Sequence, residues 1–419
     1  MTAIVLRGDA RGLPLPDGCA DLIVTSPPYF GLRDYGYDGQ IGSEGTPGEW
    51  LEALWACTAE WVRVLKPEGS LFVNLGDSYN SGPSGRRVSS GLAGTPQAAR
   101  GSIAGLGARA GAVCSDGSRA PARAAPKSLL GLPWRYAIGC MDRLGLILRA
   151  EVIWAKPNGL PESVTDRVRR AHEQVFHFTR QPRYYAAVDE IREPYEGTPQ
   201  RRFSPRIKDR RDEGRPITGW NVRWDEPTAG ENPLGKLPGS VWEIPSAPLQ
   251  VPARLGVDHF AAFPPALVRP IVLGWSPPGV CTACAQGRRP VVDKSAPYNP
   301  HQNRFVQTAR PEPHGGTRDA GTTLGWQRDT TITGYACVCP EPDAPARPAV
   351  VLDPFGGTGT TALVASAYGR HAITVDLSAD YCRLAAWRVS DPGERARARD
   401  MPKPPPVPDG MEPLFDMKV

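Results

Sequence analysis

The sequence predicts an α/β fold with a doubly wound, largely parallel sheet. Two apolar runs, residues 20–25 and 348–352, each lead directly into a tight turn. Short apolar runs bounded by turn residues are typical of buried parallel strands. Helical periodicity follows both turns, at residues 48–65 and 361–368. Strands that alternate with helices in this way are the mark of an α/β sheet covered on both faces.

The turn after the second strand is rich in glycine and reads Asp353-Pro-Phe-Gly-Gly-Thr-Gly-Thr-Thr361. Glycines let the backbone approach a ligand, and the free amides and dipole of the following helix face whatever occupies the turn. The next strand, residues 369–375, ends at Asp376, where a carboxylate can accept both hydroxyls of a ribose. Together these features predict an adenosine-type ligand, the alternative being a plain tight turn.

The spacing of this turn departs from two familiar phosphate motifs. No lysine follows its last glycine, which excludes a P-loop, and Gly-Gly-x-Gly differs from the dinucleotide fingerprint. A cofactor with adenosine but without pyrophosphate therefore fits best.

Composition allows a large intracellular protein with long irregular segments. The chain has 419 residues, of which 46 are proline and 45 are glycine, and its net charge of +5 is compatible with a nucleic-acid partner. It shows no signal sequence and no apolar run long enough for a bilayer, so we expect a soluble, cytoplasmic protein with no membrane partner. Five of its nine cysteines are scattered singly, as expected for inert thiols in a reducing compartment.

The chain begins with a predicted strand at residues 3–9 that ends in Asp9, a residue suited equally to capping the next turn and to contacting a ligand. The strand at residues 20–25 leads into Ser26-Pro27-Pro28-Tyr29. Two successive prolines make this a stiff turn, and it presents a hydroxyl, a carbonyl and an aromatic ring together. The alternative is a strand terminator with a buried tyrosine. Ligands bind at the carboxyl ends of strands in such sheets, which favours a ligand-binding site over a strand terminator.

The helix at residues 48–65 and a strand at residues 70–75 continue the α/β pattern. Residues 80–126 are mostly Gly, Ser, Ala, Pro and Arg, so they are predicted to be a disordered insert. A helix at residues 135–144 then precedes two apolar strands, which we expect to pair as the closing antiparallel strands of the sheet; they cover residues 146–154 and 173–178.

The segment between those strands, residues 156–163, is either a wall of the substrate pocket or a surface loop. Residues 190–258 have a different character, because nine basic residues and five acidic ones lie between Arg192 and Arg223, with aromatic residues interleaved. Arginine can neutralise phosphates or bind guanine edges, which indicates a nucleic-acid contact, whereas a solvated face of mixed charge is the alternative.

Four further cysteines form two close pairs, Cys281-x-x-Cys284 and Cys337-x-Cys339, at the two ends of the polar segment 278–347. Four thiolates suit a tetrahedral, structural zinc ion, with unpaired surface thiols as the alternative. The proline- and charge-rich tail at residues 391–419 is predicted to be disordered.

The Thr25-Ser-Pro-Pro-Tyr29 turn and the Asp353–Thr361 turn, in this order, resemble the DNA methyltransferases that methylate exocyclic amines of cytosine or adenine. The resemblance implies a circularly permuted, Rossmann-like methyltransferase sheet in the family's β arrangement, dependent on S-adenosylmethionine. It implies catalysis by Ser26, Pro27, Pro28 and Tyr29. It implies cofactor binding by these residues: Asp9, His259, Ala261, Phe263, Pro264, Asp353, Phe355, Gly356, Gly357, Thr358, Gly359, Thr360 and Asp376.

On this resemblance the chain divides into segments with separate roles. They are a catalytic half (1–79), the disordered insert (80–126), closing strands (127–189), a target-recognition region (190–258), a cofactor-covering segment (259–277), the zinc-binding insert (278–347), a cofactor-binding half (348–390) and the disordered tail (391–419).

The resemblance implies methyl transfer from S-adenosylmethionine to the N4 amine of a cytosine flipped out of double-stranded DNA, because N4 enzymes mostly begin the catalytic turn with Ser, as at Ser26. N6-adenine methylation is the first alternative. More remote are protein glutamine methylation, in which the two turns come in the reverse order, and a non-catalytic DNA-binding module. A cognate restriction endonuclease is left open as a further partner.

Overall fold

The computed structural model describes residues 3–32, 36–37, 39–80, 124–159, 161–194, 234–257, 262–292, 332–341 and 344–404. These form two compact units. The first comprises Met1–Val188, Gly239–Arg288 and Cys337–Val419, and the second comprises Asp189–Pro238 and Arg289–Ala336.

Strands and helices alternate along most of the described chain. In order they are β1 (Ala3–Arg7), β2 (Ala20–Thr25), α1 (Pro47–Val64), β3 (Leu65–Leu75), α2 (Leu132–Leu144), β4 (Ile147–Ala155), β5 (His172–Thr179), β6 (Val241–Glu243), α3 (Pro265–Trp275), β7 (Val280–Cys281), β8 (Arg289–Val292), β9 (Ile332–Ala336), β10 (Ala346–Arg347), β11 (Val350–Asp353), α4 (Thr360–Ala367), β12 (His371–Asp376), α5 (Ala379–Ser390) and α6 (Pro392–Ala398).

The first unit is built on a mixed eight-stranded sheet with the order β1-β12-β11-β2-β3-β5-β4-β6. The first five strands in this order, from β1 to β3, run parallel to one another. β5 runs antiparallel to both β3 and β4, so the predicted closing antiparallel strands are confirmed. The α/β class predicted from the sequence is therefore the observed one.

The two strands that carry the predicted functional turns are neighbours at the centre of this sheet. β2 pairs in parallel with β11, with Leu22 opposite Val351 and Ile23 opposite Leu352. At the start of β2, Asp21 accepts a hydrogen bond of 2.8 Å from the amide of Val350 and forms an ion pair with Lys66. Strands more than 300 residues apart in the sequence thus deliver their turns to the same edge of the sheet.

Apolar side chains cover both faces of the sheet. On one face α1 and α2 bury large residues such as Trp50, Trp61 and Tyr136. On the other face α3 and α4 bury Leu267 and Leu363 against the strands. Helix α1 begins with a capping box, in which Thr46 and Glu49 satisfy each other's backbone amides.

The second unit contains the antiparallel pair β8 and β9. The hydroxyl of Tyr335 donates to the carboxylate of Glu190, and Lys236 pairs with Glu193 at 3.6 Å. Most of the predicted target-recognition region, residues 195–233, lies outside the described residues, as do residues 81–123 of the predicted disordered insert.

The expectation of a disordered tail from Asp391 onward is wrong for its first part. Asp391 caps α6, and Glu394 of that helix pairs with Arg388 at 2.9 Å, with both side chains buried. The Arg388 guanidinium also donates to the hydroxyls of Thr358 and Thr360 at 2.9 and 2.8 Å. Composition pointed to disorder because a charged residue normally favours solvent, whereas here the charges are paired with each other.

No helix in the described part of the chain is long and apolar enough to span a membrane.

The Arg388–Glu394 pair predicts a large effect of a small change. Glu394→Gln should lower the free energy of unfolding by about 3 kcal/mol, because it leaves the buried Arg388 charge without its partner. The matched control, Asp380→Asn, breaks an ion pair whose two side chains are 57% and 59% exposed and should cost about 0–1 kcal/mol. Urea denaturation measures both losses. Equal losses would show that burial does not make the Arg388–Glu394 pair more important for stability than an exposed pair.

Candidate functional site

The Ser-Pro-Pro-Tyr turn leaves the sheet where β2 ends and is held from two sides. The indole nitrogen of Trp50 donates to the carbonyl oxygen of Pro28 at 3.0 Å. The ring of Tyr29 lies against Gly76, where an added Cβ would come within 2.6 Å of the ring. A side chain at position 76 would displace the tyrosine, so the glycine is required for the position of the ring.

A buried polar cluster lies behind this turn. Tyr29 Oη donates to Glu173 Oε2 at 2.7 Å, and Asn74 Nδ2 lies 2.8 Å from Glu173 Oε2, 3.0 Å from Tyr29 Oη and 3.4 Å from Ser26 Oγ. The other carboxylate oxygen of Glu173 pairs with Lys156 Nζ. The cluster therefore links the catalytic turn predicted from the sequence to strands β3 and β5 and to the end of β4.

Glu173 is held in its charged form by its neighbours. Burial by itself raises the pKa of this carboxyl, but the charge and hydrogen bond of Lys156 and the hydrogen bonds from Tyr29 and Asn74 outweigh it, and the net pKa is lowered. Sequence reasoning missed Asn74 and Glu173. A glutamate at the start of a predicted strand was the only available signal for Glu173.

The glycine-rich turn follows β11 and is packed tightly against its neighbours. An added Cβ on Gly356 would lie 1.8 Å from the hydroxyl of Thr374, and one on Gly359 would lie 2.6 Å from Ala385. Gly359 also has a φ of 78° and forms the N-cap of α4. The Phe355 ring packs edge-on against Trp61, with the centroids 5.7 Å apart. The sequence thus forms a compact turn that presents backbone amides at a helix start.

Asp376 fastens this turn from the neighbouring strand. One of its carboxylate oxygens accepts from the amide of Gly357 and the other from the amide of Ser378, both at 2.8 Å. Burial raises the pKa of Asp376, and these two hydrogen bonds oppose the increase. Each carboxylate oxygen has a second lone pair, which remains able to accept a hydroxyl.

Asp9, the other acidic residue predicted to contact the ligand, lies where β1 ends. Its carboxylate pairs with the guanidinium of Arg11 at 2.6 Å and accepts from the Arg11 amide at 2.9 Å. The hydrogen bond from Arg11 lowers its pKa. The structure thus shows the local turn-capping role that the sequence allowed for Asp9.

Asp353 lies buried where the two functional turns meet. Its carboxylate accepts from the hydroxyl of Thr361 at 2.7 Å and from the amide of Phe355 at 3.1 Å. The Thr361 hydroxyl also lies 3.3 Å from the carbonyl oxygen of Val24, at the end of β2. Burial raises the pKa of Asp353 to about 6. This residue therefore connects the glycine-rich turn to the strand that carries Ser26.

A small, mainly apolar cavity opens beside the ends of β2 and β3. Phe263 lines it, and the other residues lining it are Val24, Thr25, Phe72, Asn74, Val175, Leu267, Val268 and Ile271. Asn74 belongs to this wall, and its Oδ1 atom is buried without a hydrogen-bond partner among the described residues. Pro264 is the N-cap of α3. Phe263 thus lies near the ends of β2 and β3, whereas His259 and Ala261 lie outside the described residues.

The four paired cysteines come together at a separate place in the first unit. β7 pairs with β10, and the sulfur atoms of Cys281, Cys284, Cys337 and Cys339 all lie within 4.8 Å of one another. Cys281 Sγ is 3.8 Å and Cys337 Sγ is 3.3 Å from Cys339 Sγ. Tetrahedral zinc with Zn–S bonds of about 2.3 Å separates its sulfur ligands by about 3.8 Å, so this donor set fits the ion.

Comparison with known proteins points to one family. Residues 20–282 and 347–386 match the family model for N6/N4 DNA methylases. The chain is 36% identical to the type II methyltransferase M.Cfr9I of Citrobacter freundii over 279 residues, which is 66% of this chain and 74% of that protein. It is 29% identical to the type II methyltransferase M.SmaI of Serratia marcescens over 92% of this chain and 90% of that protein.

The fold is also similar to that of a solved structure, the PvuII DNA methyltransferase, which is described as cytosine-N4-specific. The TM-score is 0.50 at 15% identity, and the likeness covers 96% of this chain and 91% of that one. At this identity the likeness concerns the fold alone.

The raised pKa of Asp353 predicts how its contribution to stability depends on pH. Its folded pKa of about 6 exceeds the unperturbed value of about 3.9, so its contribution is fully present below about pH 4 and is lost as the pH rises through about 6. The loss should amount to about 3 kcal/mol for a shift of about two units.

We therefore expect the difference in unfolding free energy between the wild type and Asp353→Asn to change between pH 4 and pH 7, with the wild type losing stability relative to the variant. Urea titrations at several pH values measure it. Asp142→Asn, at an exposed position, is the control and should run parallel to the wild type. Parallel curves for Asp353→Asn as well would show that this carboxyl does not titrate in that range.

Proposed function

Because the chain belongs to the N6/N4 DNA methylase family, we propose that this DNA methyltransferase uses S-adenosylmethionine to methylate the N4 amine of cytosine in double-stranded DNA. The observation that carries the proposal is the parallel pairing of β2 with β11, which delivers the Ser-Pro-Pro-Tyr turn and the glycine-rich turn to one edge of the sheet. In the chain the catalytic turn comes first, which is the order of a circularly permuted methyltransferase sheet.

The cofactor pocket we propose is built on the turn from Phe355 to Thr360. The glycines leave no side chain between the backbone and a ligand, and Asp376 keeps lone pairs for the two ribose hydroxyls. Asp353 supports the turn through its hydrogen bonds with Phe355 and Thr361. Asp9 is proposed to lie near the adenine. S-adenosylmethionine supplies an electrophilic methyl group on a sulfonium.

The segment before α3 is proposed to cover the cofactor. Phe263 supports this role because it lines the cavity beside the ends of β2 and β3. Pro264, His259 and Ala261 belong to the same proposed segment.

The catalytic turn is proposed to prepare the target amine for attack. The lone pair of an exocyclic amine is delocalised into the ring, which makes the nitrogen a poor nucleophile. Ser26 Oγ and the carbonyl oxygen of Pro27 can accept hydrogen bonds from its two N–H groups. The carbonyl oxygen of Pro28 already accepts a hydrogen bond from Trp50. Tyr29 offers a stacking face for a flipped base. Methyl transfer forms the N–C bond as the C–S bond breaks, and the nitrogen then releases one proton to solvent.

The choice of cytosine over adenine rests on Ser26. Relatives that act on adenine mostly begin this turn with Asp or Asn, and N4 enzymes mostly begin it with Ser. The fold neighbour from the PvuII system is described as cytosine-N4-specific, which agrees with the proposal without carrying it. N6-adenine methylation is the alternative. The family match disfavours protein glutamine methylation and a non-catalytic DNA-binding module.

Several further assignments follow from the same proposal. Double-stranded DNA is the partner, with residues 190–258 as the target-recognition region and the segment divisions given above as the domain plan. The type II names of the relatives support a cognate restriction endonuclease as a second partner. We also propose a cytoplasmic location, which the bacterial sources of the relatives support.

We also propose that Cys281, Cys284, Cys337 and Cys339 hold one structural zinc ion. The donor set supports this, because four sulfur atoms from two distant segments converge in one place within the described chain. The ion would join the segment around β7 to the segment that leads into β10, with no open position for catalysis.

Mass spectrometry of nucleosides tests the modified atom. DNA incubated with the protein and S-adenosylmethionine should contain N4-methylcytosine, and DNA incubated without the cofactor should not. Methyladenine without methylcytosine would contradict the choice of base, while leaving Ser26 and Tyr29 in the catalytic turn.

Asp376→Asn should weaken the binding of S-adenosylmethionine by about 1.5–3 kcal/mol, the usual loss for a hydrogen bond to a charged group. Calorimetry measures it, with the exposed Asp380→Asn as a control that should bind like the wild type. Unchanged affinity in Asp376→Asn would refute the ribose contact.

Elemental analysis of protein purified without chelator should find one zinc ion per chain. Cys284→Ser should reduce the zinc content well below one, because it removes one of four ligands, whereas Cys19→Ser changes a cysteine outside the cluster and should retain the ion. A wild-type protein without zinc would exclude the site.

A further inference from the structure

We propose that Glu173, neutralised by Lys156, is a positioning residue for the catalytic turn: it fixes the Tyr29 hydroxyl and, through Asn74, the hydroxyl of Ser26. This inference rests on the proposed function, because the turn it orients is the one assigned to the transfer step. The sequence did not single out Glu173 or Asn74, and both lie on strands away from the two motifs.

The ring of Tyr29 is held at two places. Tyr29 Oη donates to Glu173 Oε2 at 2.7 Å and accepts from Asn74 Nδ2 at 3.0 Å, so the hydroxyl is held in both of its roles. Gly76 lies against the other part of the ring, where no side chain would fit. A ring fixed at its hydroxyl end and along one edge is held in a single orientation, which is what stacking with a flipped base would require.

Asn74, which is 5% exposed, connects Glu173 to Ser26 through its side-chain amide. Its nitrogen has two hydrogens and three acceptors within reach, namely Glu173 Oε2 at 2.8 Å, Tyr29 Oη at 3.0 Å and Ser26 Oγ at 3.4 Å. The strongest of these is the bond to the carboxylate, since a charged acceptor makes the stronger hydrogen bond. Glu173 thus sets the orientation of the amide that lies beside the Ser26 hydroxyl.

The ion pair between Lys156 and Glu173 is costly to bury. The side chains of Lys156 and Glu173 are only 11% and 15% exposed, and burying two charges usually contributes less to stability than a pair of apolar residues would. Lys156 also lies 4.1 Å from the centre of the Trp154 ring, which fixes the ammonium over an aromatic face. The pair therefore contributes little to stability, and its contact with Tyr29 gives it a role in fixing the turn.

The same sheet supplies a matched control. Asp21 and Lys66 form an ion pair with side chains 9% and 12% exposed, at the start of β2 instead of its end. Asp21 accepts from a backbone amide and does not contact the catalytic turn. A variant at Asp21 therefore removes a buried carboxylate of the same chemistry in the same sheet, on β2 instead of β5, without touching Tyr29.

The experiment compares Glu173→Gln, Tyr29→Phe, the double variant and Asp21→Asn. Glu173→Gln should lower kcat for DNA methylation by about tenfold or more, as expected when a catalytic group is misplaced, with the affinity for S-adenosylmethionine unchanged within about twofold. Tyr29→Phe should lower kcat as well, and the double variant should be no slower than the slower single variant, because both changes break the same link. Asp21→Asn should keep the wild-type kcat.

A second measurement reads the position of Tyr29 without any activity. A single 3-fluorotyrosine at position 29 gives a ¹⁹F NMR signal that should shift in Glu173→Gln and stay in place in Asp21→Asn. An unchanged signal in Glu173→Gln, a wild-type kcat in that variant, or losses that multiply in the double variant would each overturn the proposal. A wild type that methylates no DNA would refute the proposed function instead, and the ¹⁹F signal would still decide the positioning role.

Discussion

The structure depends on the parallel pairing of β2 with β11, and on the buried Asp353 that ties the ends of these strands together. The pairing brings two turns that are more than 300 residues apart to one edge of the sheet. Asp353 then accepts from Thr361 and Phe355, and Thr361 also reaches the carbonyl oxygen of Val24. Because burial favours the neutral form of this carboxyl, the link between the two turns is sensitive to its protonation.

Each functional turn is supported from behind by a buried pair of charges. Glu173 and Lys156 lie behind the Ser-Pro-Pro-Tyr turn, and Arg388 and Glu394 lie behind the glycine-rich turn, where Arg388 bonds to two threonine hydroxyls. A rigid turn needs many fixed contacts, and charged hydrogen bonds are the strongest that side chains provide. The methyl transfer proposed for this site is mainly a problem of orientation, which such supports address.

The sequence predicted the class of the fold and the two turns because these depend on local patterns. Apolar runs, Pro-Pro and Gly-Gly-x-Gly determine strands and turns over a few residues, and the structure has them at the ends of β2 and β11. The supports could not be predicted in this way, because Glu173 and Arg388 act through partners distant in the chain. The prediction of disorder was wrong for the first part of the tail for the same reason. Composition treats a charged residue as solvated, whereas Glu394 is paired with a buried arginine.

Cofactor binding is proposed for the glycine-rich turn and methyl transfer for the Ser-Pro-Pro-Tyr turn, and the Ser26→Ala variant tests this division most directly. Calorimetry with S-adenosylmethionine and transfer of a labelled methyl group to DNA would be measured on the same preparation. The expected result is an unchanged cofactor affinity and transfer slowed by about 100-fold or more, the usual loss when one positioned hydrogen-bonding group of a catalytic site is removed. Transfer at the wild-type rate, or a loss of cofactor binding equal to the loss of transfer, would contradict it.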